Sequence, residues 1–349
     1  MTRLRLLLLL LLALALTACN LPDAQTAAPS PTTIPASTPT PTAAATQTAL
    51  PTPQPDIPLG AAENPIVLAL IPSREQAIPD SARDVAAQLS QMTGLVVVPY
   101  APATYKEVIA ALAEGRVHIA ILPPFAYILA HEKARADIAL ATIVLGQDMS
   151  AAQFLVNRKM IEDRVFTQYY DEETGANLAD ASAALKQFAD KKPCWTDPYS
   201  ATGYVLPLGI LNENGIATRP GAFVQGHATV VKSLYQDSQG LVCQFGATIA
   251  DARVFIASGY GDAAEKVAIV WKTEAVVPFD GIVYAQSLPD EMRVSVSAAF
   301  LSMIQTEEGN AALRDAFQVD GFKLADDTLY NPLRSLLDKS GLLLTELVR

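Results

Sequence analysis

The chain has 349 residues and a formal net charge of −11, which allows two domains with sizeable cores and argues against nucleic acid as a partner, since no cluster of basic side chains is present. A small anion would have to be held by local dipoles, against the field of the protein as a whole.

Met1 to Ala18 carries Arg3 and Arg5 ahead of an almost unbroken Leu/Ala run. The run is too short for a spanning helix and is followed at once by small residues, so it reads as a secretion signal over 1–18. It ends Leu16-Thr17-Ala18-Cys19, which resembles the lipobox of bacterial lipoproteins, in which the cysteine is diacylated and becomes the mature N-terminus. Cys19 is thus expected to be a lipid anchor, with an ordinary signal peptide as the alternative. Several acyl chains matter here, because one chain anchors a protein only marginally. From Asn20 to Pro58, Pro, Thr, Ala and Ser dominate. Such a stretch cannot build a core and is expected to be an extended spacer over 19–59. With Cys19 lipidated, Cys194 and Cys243 are left as one pair. An exported protein can join them, and two buried free thiols fit the sequence equally well.

The folded part opens with the apolar strand Ile66 to Ile71, ending at Pro72-Ser73. Asp80 or Ser81 caps a helix with Val85, Leu89 and Met92 at helical spacing, and Gly94 stops it. A strand from Leu95 to Val98 follows, then a helix capped by Thr104 and ended by Gly115. Val117 to Leu122 is a buried strand broken by Pro123-Pro124, with a short helix from Phe125 to His131 and a β-rich stretch from Ile138 to Leu145. Strands alternating with helices predict parallel pairing, with helices on both faces.

Gln153 to Val156 reads as a strand leaving this lobe, Tyr169 to Gly175 as a polar interruption and Leu178 to Phe188 as a helix. The stretch Cys194-Trp195-Thr196-Asp197-Pro198-Tyr199-Ser200-Ala201-Thr202-Gly203-Tyr204 reads as a strand, a tight turn and the hydroxyl-rich start of a helix. That helix is expected to run to Asn214, kinked by Pro207 in its interior. Phe223-Val224, Val242 to Phe245 and Val267 to Trp271 are further strands, with a helix from Thr229 to Tyr235. Ile282 to Ala285 returns towards the first lobe, and helices follow at Pro289 to Ile304, Ala311 to Phe317 and Pro332 to Leu342. The reading is an α/β protein of two lobes, 60–149 with 280–349 and 150–279, joined by two crossings around a hinged cleft.

In open parallel sheets ligands bind beyond the C-terminal strand ends. The polar residues falling there are Pro72-Ser73, the loop Pro124 to Tyr127, the turn Asp197 to Thr202, Gly226-His227, and Thr248 with Asp251. The turn is the strongest of them. First-turn amides have no partner within a helix and carry its positive dipole end, and Ser200 and Thr202 add hydroxyls at the same point. Each residue also has a plainer use. Ser200 and Thr202 serve as helix caps, Tyr127 and Tyr105 as semi-buried aromatics, and His227 as a satisfied structural residue. A Ser200–His227–Asp251 hydrolase can be drawn, but the Gly-x-Ser-x-Gly elbow, the His-Glu-x-x-His helix and the Cys-x-x-Cys pair are all missing. No enzyme, cofactor or metal is expected.

Several segments together carry a family likeness: Val117-His118-Ile119-Ala120-Ile121-Leu122-Pro123-Pro124-Phe125-Ala126-Tyr127, Asp197-Pro198-Tyr199-Ser200-Ala201-Thr202-Gly203-Tyr204, Gly226-His227, Gly246-Ala247-Thr248 with Asp251-Ala252-Arg253, Asp320-Gly321-Phe322, and Asp326-Asp327-Thr328-Leu329-Tyr330-Asn331-Pro332. From Ile66 to Leu342 the chain resembles the phosphate/phosphite/phosphonate-binding proteins of bacterial ABC importers, which have the two-lobed type 2 periplasmic binding protein fold. The resemblance implies that Tyr127, Ser200, Ala201, Thr202 and His227 surround the oxyanion head of a ligand, with Tyr105 and Asp251 as further members and Ala201 acting through its backbone N–H. Where the family commonly has Thr and Asp, this chain has Ala201 and Ala228, one hydroxyl donor fewer. The function expected is capture of a phosphorus oxyanion (phosphonate, phosphite or phosphate) by a monomeric extracytoplasmic lipoprotein, and delivery to an ABC permease with its ATPase. A sensory lipoprotein and a structural surface lipoprotein are the alternatives.

Overall fold

The computed structural model describes residues 50–52, 56–70, 80–255 and 260–349. The expected secretion signal, Cys19, most of the spacer and Pro72-Ser73 lie outside the described residues. In chain order the strands are β1 (Ile66–Ala69), β2 (Val97–Tyr100), β3 (Ile119–Leu122), β4 (Asp137–Ile143), β5 (Met149–Ser150), β6 (Ala152–Asn157), β7 (Tyr170–Asp171), β8 (Ala176–Asn177), β9 (Pro193–Trp195), β10 (Ala222–Phe223), β11 (Phe245–Ile249), β12 (Val267–Lys272), β13 (Val277–Pro278), β14 (Gly281–Tyr284) and β15 (Gly321–Leu324). They form two main sheets, ordered β15-β4-β14-β3-β1-β2 and β10-β9-β11-β6-β12. Each sheet carries helices and makes one lobe.

The apolar run of β1 is buried along its whole length because both faces of its sheet are covered. Ile66 and Leu68 pack with the helices Asp80–Thr93 and Asp290–Met303, while Val67 and Ala69 face the cluster holding the helices Tyr105–Ala113 and Pro124–Ala134. Helix ends follow the sequence signals. Thr104 caps its helix by accepting the Glu107 N–H at 3.1 Å, and Gly115, just past the end, takes the left-handed conformation at φ 67°.

The expectation of parallel pairing holds for part of each sheet and is corrected for the rest. β1 is parallel to β2 and β3, and β9 to β10 and β11, but β14 runs antiparallel to β3 and β4, and β6 antiparallel to β11 and β12. The physical reason is the route of the chain. β6 and β14 enter their sheets directly from the other lobe through the antiparallel crossing β5/β13, without a helix to return the chain to the opposite edge. The crossing joins the Ile143/Gly281 edge of the first sheet to the Ala152/Lys272 edge of the second. Those edges hold the C-terminal ends of the parallel strands in both sheets, so the ligand-binding edges meet at the crossing.

The lobes have a further connection. The helix Asn331–Ser340 packs on Leu206–Glu213 of the second lobe. Gly209 lets the backbones meet, since a Cβ there would lie 2.4 Å from the Leu336 carbonyl oxygen, and the Asn212 amide donates to the Lys339 and Ser340 carbonyls at 3.2 and 3.1 Å. One hydrophobic cluster therefore runs from Val67 and Leu122 through Leu333 and Leu337 to Phe154 and Phe245.

Candidate functional site

The turn after β9 differs from the single kinked helix expected there. Ala201–Val205 is a turn of π-helix and Leu206–Glu213 the α-helix that continues it, so Pro207 sits at the start of the α-helix and not in its interior. The proline explains the change. Residue 207 has no N–H to give the Gly203 carbonyl, and that oxygen instead accepts the Thr196 N–H at 3.3 Å, which folds the turn back onto the strand end. Ser200 caps the turn, its Oγ accepting the Gly203 N–H at 3.0 Å and its own O–H remaining available to donate. Thr202 is buried and Ala201 half-buried. The fit is close, because a Cβ on Gly203 would lie 2.1 Å from Thr196 Oγ1.

A second helix starts at the same point. His227–Gln236 begins two residues earlier than its sequence suggests, behind Gly226 at φ 127°, with no side chain capping it. The Thr196 carbonyl accepts the Gln225 N–H at 2.7 Å and the Gly226 N–H at 3.4 Å. Thr196 thus holds both helix starts, through its N–H on one side and its carbonyl on the other. His227 Nδ1 accepts the Ile249 N–H at 2.9 Å, which fixes the neutral tautomer and leaves Nε2–H as a donor. Burial holds this imidazole below its ordinary value, with Asp197 pulling the other way.

β11 brings in the remaining second-lobe residues. The expected strand Val242 to Phe245 starts only at Phe245, because the Asp237 carboxylate takes the N–H groups of Leu241, Val242 and Cys243 out of the ladder. Thr248 consequently lies within the strand. Opposite it on β6, Gln153 Nε2 donates to Thr248 Oγ1 at 3.0 Å and to Asp251 Oδ1 at 3.3 Å. Burial by itself would raise the Asp251 carboxyl, but Arg253, with Nε at 3.0 Å and Nη2 at 2.8 Å, holds it below its ordinary value. Cys194 on β9 and Cys243, just ahead of β11, are joined in a disulfide with a Cα–Cα distance of 5.5 Å.

The first-lobe candidates are placed differently. Tyr127, in the helix Pro124–Ala134, is fully buried. Its hydroxyl donates to Asp327 Oδ1 at 2.8 Å, Arg334 holds the same carboxylate, and the Tyr127 ring lies 4.3 Å from that of Tyr330. The Tyr127 hydroxyl hydrogen is therefore already committed. Tyr105 opens the helix Tyr105–Ala113 and is half-buried, burial pushing its hydroxyl up to about 12. It lines a cavity of about 360 Å³ at the first-sheet edge, together with Thr142, Asp280 and Asp315. Asp280 was not singled out from the sequence. Its side chain is open to this cavity, yet loss of bulk solvation deep in the recess pushes its carboxyl up to about 6.

Sequence reasoning also missed Thr196, Gln153 and Arg253. Gln153 did leave a signal, a polar residue in a strand whose other interior positions, Phe154, Leu155 and Val156, are apolar. Among the described residues no group of three or more His, Cys, Asp or Glu side chains could hold a metal ion.

The model of the family described as "ABC transporter, phosphonate, periplasmic substrate-binding protein" matches residues 68–330. No match was found among the curated proteins compared with the chain. Solved structures share the fold at low identity. A binding protein component of an ABC phosphonate transporter from Pseudomonas aeruginosa is 18% identical over 79% of this chain and 86% of its own, with a TM-score of 0.52. PhnD1 from Prochlorococcus marinus, in complex with methylphosphonate, is 13% identical over 80% and 98%, with a TM-score of 0.56. A Xanthomonas citri protein bound to ATP is 18% identical over 79% and 96%, with a TM-score of 0.57. The two sheet-and-helix lobes are those of the type 2 periplasmic binding protein fold, and the chain belongs to the phosphonate family of periplasmic substrate-binding proteins of ABC transporters.

Proposed function

We propose that the protein captures the oxyanion head of a small phosphorus compound at the paired helix starts of the second lobe, and passes it to an ABC permease. The observation that supports this most is the double hold of Thr196 on the turn before Gly203 and on the Gln225-Gly226 approach to His227. The first turns of two helices are thereby tied to one residue, each with the positive end of its dipole and amides that have no partner within the helix. Ser200 and Thr202 contribute hydroxyls, Ala201 its N–H, and His227 its Nε2–H. None of these donors carries a formal charge, so the anion is bound by dipoles, as the acidic chain requires. Asp251, paired with Arg253, faces Gln153 and Thr248 beside the site and sets its shape. Tyr105 approaches from the first lobe. Closing the cleft would exclude water and strengthen each hydrogen bond.

The reading includes no bond-making step, and places the protein outside the cytoplasm as a monomer held by Cys19. Its test is thermal unfolding with methylphosphonate, phosphite, phosphate and sulfate. Ser200→Ala with Thr202→Ala is expected to abolish the stabilisation given by the best of these anions while the unliganded melting temperature stays within a few degrees. Full stabilisation in the double variant would remove the turn from the site.

A further inference from the structure

We propose that residues 347–349 form a strap across the cleft, in which the Arg349 guanidinium positions the anion-binding turn. Leu347 and Val348 are buried in the hydrophobic cluster shared by the lobes, which delivers the next residue to the cleft. There the Arg349 carbonyl accepts the N–H of Lys106 at 3.2 Å. Lys106 is in the first turn of the helix Tyr105–Ala113, so this contact belongs to the first lobe and to the helix that carries Tyr105. The side chain goes to the second lobe. Its guanidinium carbon lies 3.6 Å from the centre of the Tyr199 ring, and Nη2 is 4.0 Å from Asp197 Oδ1. Within that turn, Asp197 Oδ1 accepts the Tyr199 N–H at 2.9 Å. Arg349 therefore grips the turn at two residues that are themselves bonded together, immediately ahead of Ser200.

The chemistry gives the contact a purpose beyond packing. Asp197 is the acidic residue of the turn, and its charge reaches His227, so it opposes any anion held by Ser200, Thr202 and His227. A guanidinium beside Asp197 offsets that charge, while the Tyr199 stack keeps the cation in place. An ion pair at 4.0 Å with a mostly exposed arginine is weak in isolation. Together with the cation–π contact it biases the relative position of the lobes and the anion affinity by about three- to tenfold.

The affinity part of this inference rests on the proposed anion site, whereas the strap itself does not. The experiment separates them by using the full chain with spin labels on the unnatural residues Glu114→p-acetylphenylalanine and Arg219→p-acetylphenylalanine, one on each lobe and clear of the disulfide. Inter-lobe distances are measured without ligand, and methylphosphonate affinity by calorimetry, for the Arg349→Ala, Arg349→Gln and Arg349→Lys variants. The strap predicts longer or broader distances in the Ala and Gln variants, with methylphosphonate binding about three- to tenfold weaker, and partial recovery of both in the Lys variant, which keeps the charge but not the planar stack on Tyr199. Native distances in the Ala variant would overturn the strap, and a Gln variant that binds as tightly as Lys would overturn the role of the charge. If methylphosphonate does not bind even to the native protein, the proposed ligand is wrong, and the distances still decide the strap.

Discussion

The two sheet edges that meet at the crossing differ in character. On the second-lobe edge two helix starts are tied to the backbone of Thr196, His227 is a neutral donor, and the carboxylates Asp251 and Asp197 lie beside Arg253 and Arg349. The first-lobe edge opens on a cavity lined by the carboxylates Asp280 and Asp315 and the Tyr105 phenol, with no cation among the described lining residues. One edge has its carboxylates beside arginines, and the other leaves Asp280 and Asp315 with no cation in the described cavity lining. With a net charge of −11, an anion bound at the second-lobe edge as proposed would depend on the orientation of a few backbone dipoles and not on the field of the whole chain.

The disulfide belongs to the second lobe alone and gives the largest expected difference between the two. Cys194→Ser with Cys243→Ser opens a link spanning 49 residues and should cost about 4 kcal/mol, read from urea unfolding. Hydrogen exchange should show β9 and β11 losing protection well before β1 and β3; equal loss in both sheets would mean that the shared cluster ties the lobes into one cooperative unit. Next is Gly203→Ala, which puts a Cβ against Thr196 Oγ1 inside the turn. It is expected to lower stability by about 1–3 kcal/mol and to abolish anion-dependent stabilisation, and a variant that still binds would show that the turn does not need its present shape.

The smallest effect concerns the first-lobe edge. The Asp280 carboxyl takes up a proton near pH 6 in the folded protein and only near pH 4 in the unfolded chain. Between those values the folded state binds more protons, so folding is favoured as pH falls, and above pH 6 the poorly solvated charge in the cavity weighs against it. Asp280→Asn should therefore raise the melting temperature slightly at pH 7, with the gap closing below pH 4. A gap that does not change with pH would mean that the carboxylate is well solvated.

Much of the second-lobe cluster was legible in the chain. A hydroxyl-rich turn after a strand and a Gly-His pair after another are local patterns, and helix starts are local structures whose dipoles need no distant partner. The shape of the turn was less so. Pro207 announces a missing donor, but only the position of Thr196 shows that the freed Gly203 carbonyl would be used to fold the turn back. The strand expected at Val242 to Phe245 starts late for a reason its alternation does not reveal, the capture of its N–H groups by Asp237. Tyr127 was named for its place after a strand, and the partner that takes its hydroxyl hydrogen lies 200 residues further on.

The sequence by itself determined the α/β class, the succession of strands and helices, and the residue types able to meet an oxyanion, because hydrophobic periodicity, caps and turn residues act over a few positions. Tertiary structure decided the rest: the antiparallel entry of β6 and β14, the joining of Cys194 to Cys243, the withdrawal of Tyr127 into a buried network, and the reach of Arg349 to Tyr199. Each of these depends on which distant segments share a sheet edge or a core, and that is set by how the whole chain buries its apolar surface and not by the residues at the contact.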